Sequence, residues 1–277
     1  MFQTFDKKDI ETTSFIQNEV QYNIIHRILE DENSVRVQSR DRSLLYAQTP
    51  GNNPWLWVDP TLQKEVRKEL VNNLLTFLDY VKVPGITAEP TLANIFAEEY
   101  AKRRKISYSL TMEMEAYERT EVVPPKMVQG EMKLSSEKDV EYIAQFLSGF
   151  YLDGHGMKVE SKTLVGKAKK MIDTRNLYIW VVDGVPVSMT NVSHRSPRHA
   201  RINSVYTPPE QRKKGFASAL VHEVCGVVEK EKLTPMLYAD VLNPTSNKIY
   251  QDLGFKECGK IRELSFVTEE KKCDKGS

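Results

Sequence analysis

Hydrophobic residues in this chain fall into two rhythms. Short β-branched and aromatic runs alternate with stretches spaced at three and four residues, the pattern of strands interleaved with helices. Phe15, Val20, Ile24, Ile25 and Leu29 form a helical stripe that Asp31-Glu32-Asn33 should end. Ser43 to Gln48 and Trp55-Leu56-Trp57-Val58 are predicted strands, with the turn cluster Thr49 to Pro54 between them. Asp59-Pro60 reads as N-cap and first-turn proline of a helix lined by Val66, Leu70, Leu74, Leu75 and Leu78. Gly85 to Ala88 is a candidate strand. Leu92, Ile95, Phe96 and Tyr100 mark a helix ending at Lys102-Arg103-Arg104-Lys105, and Ile106 to Ala116 is the next strand.

Glu121 to Gly130 contains Pro124 and Pro125 and reads as a linker. Two amphipathic helices follow, on Val140, Ile143, Ala144 and Leu147, then on Leu164, Ala168 and Met171. Leu177 to Val182 is a dense strand, Asp183-Gly184 a hairpin turn and Val185 to Val192 its partner. Ser193 to His199 is expected to be a polar loop. Arg201 to Thr207 is a strand, and Ala217, Leu220, Val221, Val224 and Val228 line a helix. Met236 to Val241 is a strand, a short helix starts at Pro244, and Ile261 to Phe266 is the last strand. The charged tail, Thr268 to Ser277, is expected to fray.

The expected fold class is thus α/β: a mixed central sheet flanked by helices, with domains at 1–122 and 131–277 and a connector at 123–130. The order strand, helix, strand, helix, strand occurs in both halves. The first half is either a degenerate copy of the second or an unrelated α/β domain.

Charge narrows the partners. Lys plus Arg is 39 against 38 Asp plus Glu, so the formal charge is +1 and nothing pulls the whole chain toward nucleic acid. No run of apolar residues is long enough for a membrane span, and the N-terminus has no signal-peptide pattern. Cys225, Cys258 and Cys273 are too few and too irregular for a disulfide framework or a zinc site. A reducing cytoplasm is the expected location, and no metal-ligand spacing appears.

Candidate chemistry concentrates in two stretches. The first is Val205-Tyr206-Thr207, two prolines, then Arg212-Lys213-Lys214-Gly215-Phe216-Ala217-Ser218. Pro208 and Pro209 end the strand by removing two backbone donors. Three cations and a glycine then precede a helix N-terminus, where N–H groups are unpaired and the dipole is positive. Gly215 lets an anion approach the backbone closely, so the turn suits a pyrophosphate; an ordinary surface loop with a solvated charge run is the alternative. The second stretch runs from Asn243 to Phe255. Asn243 is placed to cap a helix, Pro244 to begin it and Gly254 to end it. Asn243, Asn247 and Tyr250 share one helical face.

Arg212-x-x-Gly215-x-Ala217, followed by Asn243-Pro244 and Tyr250-x-x-x-Gly254-Phe255, resembles the cofactor site of the GNAT superfamily of acyl-CoA N-acyltransferases. The resemblance covers about residues 130 to 268. It implies a sheet whose strands splay beside Val205, Tyr206 and Thr207, so that their backbone meets the pantetheine arm of acetyl-CoA. It implies that the N–H groups of Lys213, Lys214, Gly215, Phe216 and Ala217 hold the pyrophosphate. Arg212 and the lysines add charge, and Ser218 adds a hydroxyl. Asn243, Ser246 and Asn247 would meet the cofactor from the second helix. Tyr250 matches the tyrosine beside the thioester sulfur, a general acid for the departing thiolate; the alternative is a packing tyrosine.

The reaction implied is direct attack of a primary amine, small molecule or peptide, on acetyl-CoA. Its general base is not marked, since no carboxylate lies in Arg201 to Ser204. Glu160 is a candidate, with His155, His194 and His222 behind it. An acyl-CoA-binding sensor without catalysis is the alternative, and a kinase is disfavoured by the absence of Walker and kinase signatures. Acceptor identity and oligomeric state are not written in these motifs.

Overall fold

The computed structural model describes residues 2–11, 13–79 and 81–267, and the tail read as frayed lies outside them. The chain divides into two compact units. The described residues of Met1–Ala116, Asp240–Leu242 and Cys258–Ser277 form the first, and Tyr117–Ala239 with Asn243–Glu257 form the second.

In the first unit the elements are β1 (Phe2–Gln3), α1 (Lys7–Ile10), α2 (Ile24–Ile28), β2 (Val35–Ser39), β3 (Leu44–Gln48), β4 (Trp55–Val58), α3 (Lys64–Phe77), β5 (Gly85–Ala88), α4 (Pro90–Arg104) and β6 (Ser107–Arg119) as far as Ala116. Strands β1 to β4 pair antiparallel. Strand β5 joins β4 in parallel at Trp55 and Thr87. The helical stripes predicted for α3 and α4 supply the core, with Leu74, Leu75, Leu92 and Phe96 buried against Tyr46, Leu56 and Ile86.

Two expectations differ from the structure here. The stripe from Phe15 to Leu29 is not one helix. Its backbone bonds run mostly to the third residue back, as in Ile16 N–H to Thr13 O at 3.4 Å and Glu19 N–H to Ile16 O at 3.3 Å. Polar side chains are drawn inward as well. Asn18 accepts from Trp57 Nε1 at 3.2 Å, and His26 Nε2 lies 2.8 Å from a Glu19 oxygen with both side chains buried. A segment buried on several sides has no reason to keep one amphipathic face. Nor does α3 begin at Asp59-Pro60. The Asp59 carboxylate accepts from the Thr61 N–H at 2.9 Å and from the Ser14 hydroxyl at 2.6 Å, closing a local turn instead. The helix starts at Lys64.

The second unit holds β7 (Glu131–Leu134), α5 (Val140–His155), α6 (Ser161–Asp173), β8 (Leu177–Val182), β9 (Val185–Arg195), β10 (His199–Tyr206), α7 (Phe216–Lys230), β11 (Thr234–Asp240), α8 (Pro244–Asp252) and the start of β12 (Phe255–Val267). Strand order is β7-β8-β9-β10-β11. All neighbours are antiparallel except β10 and β11. Strand β8 explains its dense apolar run by burying both faces. Leu177, Ile179 and Val181 meet α5 and α6 in one core cluster, whereas Trp180, with Tyr178 and Val182 partly buried, meets α7 in the other.

The polar loop expected at 193–199 is mostly strand. Ser193 and Arg195 can be extended because their side chains are satisfied. The Ser193 hydroxyl donates to Arg201 O at 3.1 Å, and Arg195 Nη2 donates to the Glu231 carboxylate at 2.9 Å. The pattern missed strands β1, β2 and β7; β2 and β7 do alternate, but over only five and four residues, and β1 has two.

Residues 120–130 have no regular structure, yet both ends are held. Arg119, almost fully buried, donates from Nε to Leu253 O at 3.2 Å, and one of its terminal nitrogens lies 2.9 Å from His222 Nδ1. Thr120 N–H donates to Gly254 O at 3.2 Å. At the other end the Trp180 indole donates to Gln129 O at 2.9 Å. Gly254 sits at φ +89°, and a Cβ there would overlap the Glu121 carbonyl. Gly254→Ala therefore combines a left-handed backbone with a backbone collision, and a loss of about 2 kcal/mol is expected; urea unfolding at unchanged m-value measures it. Cys225 lies in the α7 core, where burial pushes its thiol up to about 12. At pH 8 its thiolate is a negligible fraction. The Cys225 peptide should stay unalkylated by iodoacetamide in the folded protein and react after denaturation, as mass spectrometry will read.

Candidate active site

Strands β10 and β11 pair in parallel at only three positions, His199 with Thr234, Ala200 with Pro235 and Arg201 with Met236. Beyond Arg201 they part. On the other side β10 stays paired with β9, but through two register shifts. Ser204 sits there at φ +51°, an uncommon value for a residue with a side chain. The bulge twists β10. Val205, Tyr206 and Thr207 follow the point of parting along the chain.

The glycine turn read above as suiting a pyrophosphate lies after the end of β10. Prolines 208 and 209 lead into a short 3-10 turn, and α7 begins at Phe216. Gly215 is the residue just before the helix, at φ +85°. A left-handed conformation favours glycine there. Space adds a second reason, because a Cβ would lie 2.8 Å from Val128 Cγ1. Lys213 is left-handed too, at φ +62°. Arg212, Lys213, Lys214 and Gly215 are all exposed, and Ala217 and Ser218 half-exposed. A helix that starts at Phe216 leaves its first-turn N–H groups without intrahelical acceptors, and Gly215 has no side chain to cap them. The turn therefore offers exposed donors at the positive end of a helix, which fits a diphosphate.

The cations are not equivalent. Lys213 has no ion pair among the described residues, and Lys214 donates to Gln211 Oε1 at 2.9 Å. Arg212 is engaged by its own surroundings. Its Nε donates to Thr207 O at 2.9 Å, a terminal nitrogen donates to the Asp153 carboxylate, and its face lies 5.7 Å from the Tyr206 ring.

On the second helix, Asn243 caps α8 by accepting from Ser246 N–H at 3.1 Å, with Pro244 at the helix start. Ser246 and Asn247 are half-exposed. Tyr250 is 7% exposed and packs between Tyr117 and Phe255, with ring centroids 6.4 and 6.0 Å away. None of these contacts is a hydrogen bond to its hydroxyl. Burial raises its phenol well above the ordinary tyrosine value, so it stays protonated and keeps an O–H to donate.

The base candidates separate clearly. The Glu160 carboxylate is exposed at the start of α6 and 2.9 Å from Lys162 Nζ. His222 Nδ1 accepts from the Arg119 guanidinium, which occupies that nitrogen. His194 is buried on β9 opposite Arg201. His155 falls in the last turn of α5. Of Glu160, His222 and His194, none is placed as an evident base. The open face of β10 carries instead an exposed Asn203, whose Oδ1 accepts from the buried Asn191 amide at 3.0 Å. Sequence reasoning missed Arg119, Asp153 and Asn191. Each acts through a partner distant in the chain, 59 residues in the case of Asp153 and Arg212, and no spacing rule announces such a pair.

The sequence model of the acetyltransferase (GNAT) family matches residues 144–255. No curated protein matches the chain. Among solved structures, an acetyltransferase from the GNAT family of Colwellia psychrerythraea is similar at a TM-score of 0.57 and 12% identity, over 96% of this chain and 98% of that one. A GCN5-related N-acetyltransferase from Sphaerobacter thermophilus is similar at 0.59 and 13%, over 96% and 95%. Another from Kribbella flavida reaches 0.56 at 13%, over 92% and 97%. At such identities these structures speak for the fold alone. The family match falls on the segment that carries the parted strands, the glycine turn and α8. Residues 144–255 accordingly match the sequence model of the GNAT acetyltransferase family, and the chain has a fold similar to that of these GNAT structures.

Proposed function

We propose that the second unit transfers an acetyl group from acetyl-CoA to a primary amine by direct attack. The observation that carries this reading is the coincidence of two features on one strand: β10 loses its parallel partner after Arg201 and ends at an exposed glycine turn before a 15-residue helix. In this reading the backbone of Val205 to Thr207 pairs with the pantetheine amides. The N–H groups of residues 213–217 hold the pyrophosphate, with Lys213 the cation nearest at hand. The acyl donor supplies a thioester, whose carbonyl backbone N–H groups near the bulge can polarise.

Tyr250 supplies the polar group on the leaving side. A phenol raised by burial is a weaker acid than a departing thiol. Its contribution is to donate a hydrogen bond as negative charge grows on sulfur; the thiolate leaves charged and takes its proton from solvent. The amine must lose a proton to become a nucleophile. With no carboxylate on β10, water along the open face beside Asn203 is the acceptor we favour. Acceptors are small molecules or peptides bearing an amine.

We read the first unit as a degenerate copy. Support comes from its order of antiparallel strands, helix, parallel strand, helix and strand, which the second unit repeats. Its equivalent turn, Asp59 to Gln63, has no glycine and is closed by the Asp59 carboxylate. No helix among the described residues is long and apolar enough to cross a membrane. We place the reaction in the cytoplasm, where Cys225 and Cys258 stay reduced.

Screening an amine library for released thiol identifies the acceptor. With it in hand, Tyr250→Phe should lower kcat by about 100-fold, the low end for a general acid or donor, while the dissociation constant for acetyl-CoA changes less than about twofold. Unchanged kcat overturns the role of Tyr250. Binding of acetyl-CoA without turnover on any amine favours a sensor over an enzyme.

A further inference from the structure

The arginine of the phosphate turn is tied to helix α5. Tyr206 is seated on that helix, 6.0 Å from the Phe146 ring, and Gly149 is required there because a Cβ would overlap the Tyr206 hydroxyl. Arg212 stacks on the same tyrosine, donates to Thr207 O and reaches the Asp153 carboxylate one turn further along α5. Burial, and next the Asp153 charge, raise the Tyr206 phenol, so the ring stays neutral under the guanidinium. A guanidinium holds an oxyanion best by offering two parallel N–H groups. Here one edge faces Thr207 O and the terminal nitrogen faces Asp153. A diphosphate in the turn could take Arg212 only by displacing that carboxylate.

We infer that Asp153 is a positioning residue that competes with the cofactor's phosphate for Arg212, so that filling the turn releases the C-terminal turn of α5. The inference rests on the reading of the turn as a coenzyme A site. The exchange is feasible because the pair is exposed, at 43% for Arg212 and 41% for Asp153, and exposed ion pairs are weak. The released turn leads directly into the 156–160 segment, which the Ser148 hydroxyl pins by donating to Val159 O at 2.5 Å.

Calorimetry on the full chain with coenzyme A and with pantetheine, which lacks the phosphates, tests this. Asp153→Asn should tighten coenzyme A by about two- to fivefold, the range of an exposed ion pair, and leave pantetheine unchanged. A merely structural role for Asp153 would weaken binding instead. In an Arg212→Gln background the same substitution should have no effect, because the two residues act as one, and Asp153→Glu should restore the wild-type value. Independently, coenzyme A should speed amide exchange at residues 150–156 of the unsubstituted protein. Unchanged or weaker binding in a folded Asp153→Asn protein, or unchanged exchange, overturns the inference. Failure of the unsubstituted protein to bind coenzyme A overturns the underlying reading instead.

Discussion

The second unit is organised by a parallel strand pair that stops early. After Arg201 and Met236, β10 and β11 no longer satisfy each other's backbone. Unpaired backbone groups inside a sheet are costly unless something else meets them, so the opening either fills with ligand or stays wet. The bulge at Ser204 lies on the strand that leaves the pair, and the proline pair and the glycine turn follow it directly. Each is a local irregularity that a continuous ladder would not tolerate. Together they make one edge where extended backbone and helix N–H groups lie side by side.

Packing holds that edge from both sides of the sheet. The α7 and α8 side places Tyr250 between Tyr117 and Phe255 and closes around Leu220, Val224 and Leu253. The α5 and α6 side seats Tyr206 among Phe146, Leu147 and Met189. Tyr206 and Tyr250 are the two aromatic anchors, one per face. Burial raises both phenols, yet their uses differ. Tyr206 has a cation over its ring, whereas Tyr250 lies between the Tyr117 and Phe255 rings.

The fold was legible in the sequence wherever a residue's reason for being there was local. Gly215 before α7, Asn243 and Pro244 at the head of α8, and the two-sided burial of β8 all follow from cap chemistry and spacing. What escaped the reading depends on distant partners. The stripe at Phe15 to Leu29 breaks because Asn18 and His26 answer to Trp57 and Glu19. Ser193 and Arg195 are extended because Arg201 and Glu231 receive them. The candidate site divides the same way. Its backbone geometry was readable, but the engagement of Arg212 by Asp153 and of His222 by Arg119 was not. Those pairings turn a presumed phosphate ligand and a presumed base into residues with other obligations.

The stretch between residues 119 and 130 has a practical consequence. Its composition suggests a place where the chain could be cut, and its middle, including Val122 and the fully exposed Met127, is open to a protease. Yet Arg119 and Glu121 fasten one end against Leu253, Gly254 and Lys256, and Gln129 fastens the other against Trp180. A nick at its centre would leave both stumps docked. The unit's own beginning is therefore Tyr117, well upstream of the prolines, and a fragment trimmed to residue 131 would lack the guanidinium that its buried helix ends are built around.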